Sequence, residues 1–258
     1  MKEFSYILGV NSSSKIVKGT KIDVNTGIIY LSPHSSSGKN VCPRASAGCI
    51  ATCLHHGGRA AFDTKIHRAR LARTNYFYTH RQEFMSQLRK EIAAAYKKHG
   101  DTLAIRLNGT SDLSLALFAD ILEEFSHIQF YDYTKVLNRV HLLERFPNYH
   151  LTLSYSEELD WQELVSTAEK YNLGIAVPFA DVHPSTGRVR PSKTARLPLE
   201  WRGLPVFDAD ETDARFLDRE LGAPKKGAYI AGLRVKRTTR ERESLGLTTK
   251  FFVDATGH

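Results

Sequence analysis

The chain has 258 residues, 41% of them hydrophobic, and a formal charge of +8. That length supports one large core, and no apolar run approaches the roughly 20 residues of a membrane span. Three cysteines are an odd count, which argues against a secreted disulfide framework and for reduced thiols or a metal.

The N-terminal segment MKEFSYILGVNSSS has no long apolar stretch and no clear cleavage site, so the expectation is a cytoplasmic protein. The basic balance suits a nucleotide-like small molecule or nucleic acid, or else an ordinary solvated surface. Residues 15–33 predict a hairpin, with a turn at Asn25-Thr26-Gly27 between Lys15–Val24 and Ile28–Leu31. A polar loop follows, then Cys42, Cys49 and Cys53, with Gly57-Gly58 closing that loop. Residues 60–98 predict helix. Phe84, Leu88, Ile92 and Tyr96 recur at every fourth position as one buried stripe, and Gly100 ends it.

Strands and helices then alternate. Strands are predicted at 103–107, 128–131, 150–153, 173–177, 205–207 and 228–231, and helices at 113–125, 136–145 and 158–171. This alternation argues for βα units and a parallel sheet. The expected fold is α/β, a partial or full (βα) TIM-like barrel with an N-terminal β-hairpin. One domain spans 1–258: a hairpin extension to 33, a cysteine loop at 34–60, and βα units from 61.

In parallel α/β folds the chemistry lies at the C-terminal ends of the strands. Here those ends run into Asn108-Gly-Thr110-Ser-Asp112, Asp132-Tyr133-Thr-Lys135, Ser154-Tyr-Ser156 and Asp208-Ala-Asp210-Glu211-Thr-Asp213. Asp112, Asp132, Lys135, Asp208 and Asp210 are candidate catalytic groups. Asn108, Thr110, Tyr133, Ser154 and Ser156 are candidate substrate or cofactor contacts. Helix capping is the competing explanation for any one of them. Arg68, on a basic helix with Lys65, His67, Arg70 and Arg73, is a candidate anion clamp or a solvated residue.

Thiolates are soft ligands that suit zinc and iron–sulfur clusters. Cys42, Cys49 and Cys53 would leave one iron of a [4Fe–4S] cluster open. With His55 or His56 they would instead close a four-ligand zinc site. Unligated, buried cysteines are the third reading.

Several blocks together resemble the phage gene product 88 family. They are Cys42-Pro-x5-Cys49-x3-Cys53 with Gly57-Gly58-Arg59, Arg106-Leu-Asn-Gly-Thr-Ser-Asp112, Tyr131-Asp-Tyr-Thr-Lys135, Val177-Pro-Phe179 and Asp208-x-Asp210-Glu-Thr-Asp213. The chain is also distantly similar to radical S-adenosylmethionine barrel proteins. Those proteins hold a four-iron cluster on a three-cysteine loop after the first strand, with C-x3-C-x2-C spacing where this chain has C-x6-C-x3-C. That similarity implies S-adenosylmethionine as a further cofactor.

Three functions remain open. One is an iron–sulfur enzyme, radical S-adenosylmethionine-like, acting on a nucleotide or nucleic acid. Another is a non-catalytic phage binding protein with a structural zinc or no metal, holding a host protein or nucleic acid. The last is a metal-free hydrolase or lyase using Asp208, Asp210, Glu211 and Asp213.

Overall fold

The alternation of apolar segments produces a ten-stranded, mostly parallel sheet in the computed structural model. The residues it describes are 4–12, 16–56, 63–190, 194–236 and 239–255. Gly57, Gly58 and Arg59, read above as part of the cysteine loop, lie outside them. In chain order the elements are β1 (Leu8–Val10), β2 (Asn25–Ile29), α1 (Ala47–Ala51), α2 (Thr64–Thr79), α3 (Arg81–His99), β3 (Leu103–Arg106), α4 (Ala119–Glu124), β4 (Gln129–Thr134), β5 (Tyr149–Ser154), α5 (Trp161–Tyr171), β6 (Gly174–Ala180), β7 (Glu200–Trp201), β8 (Leu204–Asp208), β9 (Tyr229–Arg234), α6 (Arg240–Thr248) and β10 (Val253–Asp254).

The sheet order is β1-β2-β3-β4-β5-β6-β9-β8-β7, and β10 adds beside the end of β6. Pairings from β2 through β8 are parallel, while β1 and β7 pair antiparallel at the two edges. The strand path ends at β1 and β7, and no pairing joins those two among the described residues. Both edges of β2 are taken by β1 and β3, and both edges of β8 by β7 and β9. The sheet is not closed: the expected α/β class with a mostly parallel sheet is present, and the partial or full barrel is not shown.

The N-terminal hairpin exists, but its strands differ from those expected. Leu8 pairs with Ile29 and Val10 with Gly27, and a 3-10 segment, Ile16–Ile22, lies in the connection. Asn25-Thr26-Gly27 is strand, not turn. Gly27 faces the side chains of Leu8 and Ile105, each 2.9 Å from where a Cβ would stand. The glycine answers close packing there, not a turn.

Side chains alternate between two faces along each strand. On one face Ile105, Phe130, Leu151, Ile175 and Ile230 join the helical residues Phe84, Leu88, Ile92, Ile121 and Leu164 in the main core. Fully burying each such side chain contributes about 1.5–3 kcal/mol. Helix α3 also fixes the sheet edge: the Ile7 and Leu8 amides donate to the Glu91 carboxylate at 2.9 and 2.7 Å. Helix α5 starts at Asp160, whose carboxylate accepts from the Glu163 amide, and stops at Asn172 in the left-handed region.

The other face is covered by the β8–β9 connection rather than by helices. Ala214, Phe216 and Leu217 pack on Val24, Ala104 and Tyr131, and Ala209 and Ala223 pack on Tyr229 and Ala231. Lys18 Nζ, in the segment before β2, donates to the Asp210 carbonyl at 2.7 Å. The ends of β2 and β8 are thus linked through side chains without a ladder. No described helix is long and apolar enough to cross a membrane.

Candidate functional site

The cysteine loop rises from the end of β2 and lies across the C-terminal ends of the parallel strands. Its first half is tied to β3: the Asp112 amide donates to the Val41 carbonyl at 2.8 Å, and Cys42 Sγ donates weakly to the Thr110 carbonyl at 3.7 Å. Its second half is the short helix α1, which carries Cys49. Ser46 caps α1, accepting from the Cys49 amide at 3.2 Å. Glu157, just past β5, accepts from Ser46 Oγ at 2.8 Å and from the Gly48 amide at 2.9 Å. Arg242 of α6 donates to the Ala51 carbonyl.

Gly48 is where α1 meets the C-terminal segment. A Cβ there would stand 2.4 Å from Phe251 Cβ and 2.6 Å from Glu157 Oε1. Gly48→Ala is expected to destabilise the fold by about 1–3 kcal/mol, as overpacking does. Urea unfolding measures it, and an unchanged midpoint would refute this docking.

The three cysteines are free thiols, each partly buried. Burial pushes Cys42 up to about 12, and the charges of Cys53, Asp112 and Cys49 add to the rise. Burial also raises Cys53; Cys49 raises it further, while Arg70 and Lys135 oppose the rise. The three thiols sit on one loop, on and beside α1, at the strand-end rim. Burial alone would lower the Lys135 ammonium, but the charges of Cys49, Asp112 and Cys42 raise it overall. Among the described residues, no three His, Cys, Asp or Glu side chains stand together as a site for a single ion.

Beside Cys53 the ring of His55 stacks on His67, 3.9 Å between centroids, and its Nδ1 lies 3.0 Å from Arg70 Nη1. Burial, then His67 and Arg70, lower His55 to about 3, so it is neutral and accepts from Arg70. That commitment takes one ring nitrogen from a zinc site closed by His55. Arg70 also lies over Tyr30, 5.0 Å from its centroid. Arg73 is buried against Phe4 and Tyr6. Arg68, the candidate clamp, is exposed; the arginine turned toward the cysteine loop is Arg70.

Most of the other expected site residues do reach this rim, and their polar atoms are engaged there. Asn108 Oδ1 accepts from Ser111 Oγ and the Leu113 amide, and Thr110 Oγ1 donates to the Leu31 carbonyl. Asp112 accepts from Thr134 Oγ1 at 2.8 Å, the Lys135 amide at 3.0 Å and Arg139. Ser156 is buried and donates to Glu157, and Ser154 is partly buried at the end of β5. Asp208 and Asp210 pair with Arg234 at 2.8 and 3.3 Å. Burial opposes it, but the hydrogen bond from Arg234 holds Asp208 below the usual carboxylate range.

Asp132 is 1% exposed, accepting from the Asn108 amide at 2.9 Å and from Tyr149 Oη at 3.3 Å. Burial raises its carboxyl to about 7, although Arg106 and those hydrogen bonds pull it down. An unfolded Asp titrates near 3.9, so the folded state holds a proton that the unfolded chain releases. The resulting stabilisation is present at acid pH and is lost as pH rises from about 4 through about 7. Asp132→Asn is expected to flatten the pH dependence of the urea midpoint in that window. An unchanged dependence would show that Asp132 titrates normally.

Sequence reasoning missed a buried ionic network on the inner face. Arg106 Nη1 donates to Asp213 Oδ2 at 2.5 Å, and Tyr133 Oη donates to Asp213 Oδ1 at 3.2 Å. Deeper, Arg215 lies 3.4 Å from Asp218, which accepts from Tyr229 Oη at 2.9 Å. Tyr133 thus serves this network. The available signal was Arg106 at the end of the apolar segment 103–106 and Tyr131 and Tyr133 two residues apart in β4. Glu157 and Arg242 were missed as well, since each reads as an ordinary surface charge.

Together these features define an open-sheet α/β protein with a three-cysteine loop docked on its C-terminal rim. The chain belongs to the gene product 88 family, whose sequence profile matches residues 10–244. No curated protein and no solved structure matches it, so the similarity to radical S-adenosylmethionine proteins gains no support there.

Proposed function

We propose that this phage-type protein is an iron–sulfur protein in which Cys42, Cys49 and Cys53 hold a four-iron cluster with one open iron. The observation that carries this reading is that one loop on the rim holds all three thiols, with Cys42 against the Thr110 carbonyl and Cys49 on α1. A single zinc holds its sulfurs about 2.3 Å from one point. A four-iron cluster accepts one thiolate at each of separate irons. When bound, such a cluster supplies electron transfer and an open coordination position.

In the catalytic form, S-adenosylmethionine is the cofactor, and the open sheet acts as a partial barrel presenting a nucleotide or nucleic-acid substrate to the rim. The charge of +8 and the exposed Lys39, Arg44, Lys236 and Lys250 support an anionic substrate. The setting is the host cytoplasm. The test is anaerobic preparation with iron and sulfide, dithionite reduction, and chromatography for 5′-deoxyadenosine from S-adenosylmethionine. Its absence from a cluster-loaded sample would remove the radical form.

A second reading, a non-catalytic binding protein, is favoured by one observation. Asn108, Asp112, Asp132, Asp208 and Asp210 all make internal structural bonds. Binding of nucleic acid that weakens steeply with salt, with no turnover of S-adenosylmethionine, would favour it.

A further inference from the structure

The segment after β6 turns back on itself and stands against α6. Val182 bridges Val189, the His183 amide donates to the Arg188 carbonyl at 2.8 Å, and Gly187 makes the turn in the left-handed region, with φ of 62°. Arg188 follows that glycine directly. On α6, Arg240, Glu243, Ser244 and Leu247 recur at helical spacing and share one face. Arg242 stands off that face and braces the cysteine loop through the Ala51 carbonyl. Between the turn and the shared face lies a cavity of about 210 Å³.

Apart from Gly187 and Leu247, its lining is charged or hydroxylic. Glu243 is 3% exposed and lies 3.6 Å from Arg188 Nε, a charge pairing longer than a hydrogen bond. Arg188 Nε is itself buried and has no hydrogen-bond partner. The nearby Arg190 is committed elsewhere, 3.0 Å from Asp181. Arg188 and Arg240 against Glu243 leave the cavity net positive, and Thr186 and Ser244 add hydroxyl donors. The space is below the roughly 300–1,000 Å³ of sites for drug-sized ligands, so it suits one compact anion. Guanidinium forks match phosphate oxygens two at a time.

Resting on the reading of a nucleotide or nucleic-acid substrate above, we propose that this cavity binds one phosphate group of that substrate, with Arg188 and Arg240 as its cations and Ser244 as a hydroxyl donor. Glu243 holds Arg188 in place from the buried side. Because α6 carries both this face and Arg242, a phosphate seated here is anchored to the helix that braces the cysteine loop.

The test uses the full-length protein prepared anaerobically with iron and sulfide, as wild type, Arg240→Gln and Lys170→Gln. Arg240 is exposed, so its replacement spares the core, and Lys170, an exposed cation on α5, accounts for overall charge. Binding of a fluorescent oligothymidylate and of thymidine monophosphate is measured across salt concentrations. Arg240→Gln is expected to weaken binding about tenfold and to lower the salt slope by about one phosphate contact, while Lys170→Gln stays close to wild type. Dependence on Arg240 with oligothymidylate assigns the phosphate to a nucleic-acid backbone; the same dependence with the monophosphate alone assigns it to a nucleotide, and either supports the site. Unchanged binding in Arg240→Gln, or equal losses in Arg240→Gln and Lys170→Gln, overturns the proposal while leaving the substrate reading intact. A wild type that binds neither compound at low salt overturns that reading as well.

Discussion

Replacing Cys42, Cys49 or Cys53 singly by Ala is expected to lower the iron and sulfide retained after anaerobic reconstitution by at least about tenfold. Substituting a mere supporting partner of a metal ligand already costs about 10–100-fold. The metal-free variants should nevertheless unfold close to metal-free wild type. Each thiol is partly buried and gives up only weak contacts, such as Cys42 with the Thr110 carbonyl at 3.7 Å. The loop is fixed independently, by Glu157 on Ser46 and Gly48 and by Arg242 on Ala51. A structural zinc predicts the opposite pattern, in which loss of a cysteine destabilises the fold itself. Metal content and thermal unfolding of the three variants distinguish the two.

The second large effect lies away from the cysteines. Asp213→Ala leaves Arg106 without its 2.5 Å partner and Tyr133 without its acceptor, both on the covered inner face. Removing one member of a buried pair costs about 3–5 kcal/mol, because the remaining charge stays desolvated. For a chain of this size that is roughly a 10 °C fall in the unfolding midpoint. Arg106→Met combined with Asp213→Leu removes both charges and should recover much of the loss. A double variant as unstable as Asp213→Ala would mean that shape rather than charge dominates there.

The fold was legible where apolar periodicity was strong. The strands beginning near 103, 128, 150 and 173 form at those places, and the stripe Phe84, Leu88, Ile92 lies on one buried face of α3. Strand β4 runs past its expected end through Thr134, because this sheet buries polar groups inside. Asp132 and Tyr133 look like loop residues only if strand interiors are assumed apolar. The expected continuous helix from 60 breaks at His80, with φ −134° and ψ 57°, where no glycine or proline marks the change. The segments at 115–118 and 137–143 wind as 3-10 turns, a distinction that spacing of apolar residues does not carry. Helix α6 was invisible because its sequence, RERESLGLT, is polar with an internal glycine. It forms around Thr239 as its cap, and Phe252 packs on Gly246.

At the site, sequence placed the cysteine loop on the strand-end rim correctly. It could not see what the neighbouring polar residues bind. Capping and loop bracing account for Asn108, Thr110 and Asp112, and an arginine pair accounts for Asp208 and Asp210. The partners of Asn108 lie only three and five residues on, at Ser111 and Leu113; those of Thr110, Asp112, Asp208 and Asp210 are distant in the chain, so spacing carries no trace of them. The Lys135 ammonium lies near the Phe251 ring, 5.7 Å from its centroid.

The central claim, a four-iron centre on three thiols, is tested most directly by assaying iron, sulfide and zinc together in the anaerobically prepared wild-type protein. The account predicts about four irons and four sulfides per chain with little zinc. About one zinc per chain, or no metal, with sulfide absent, would contradict it.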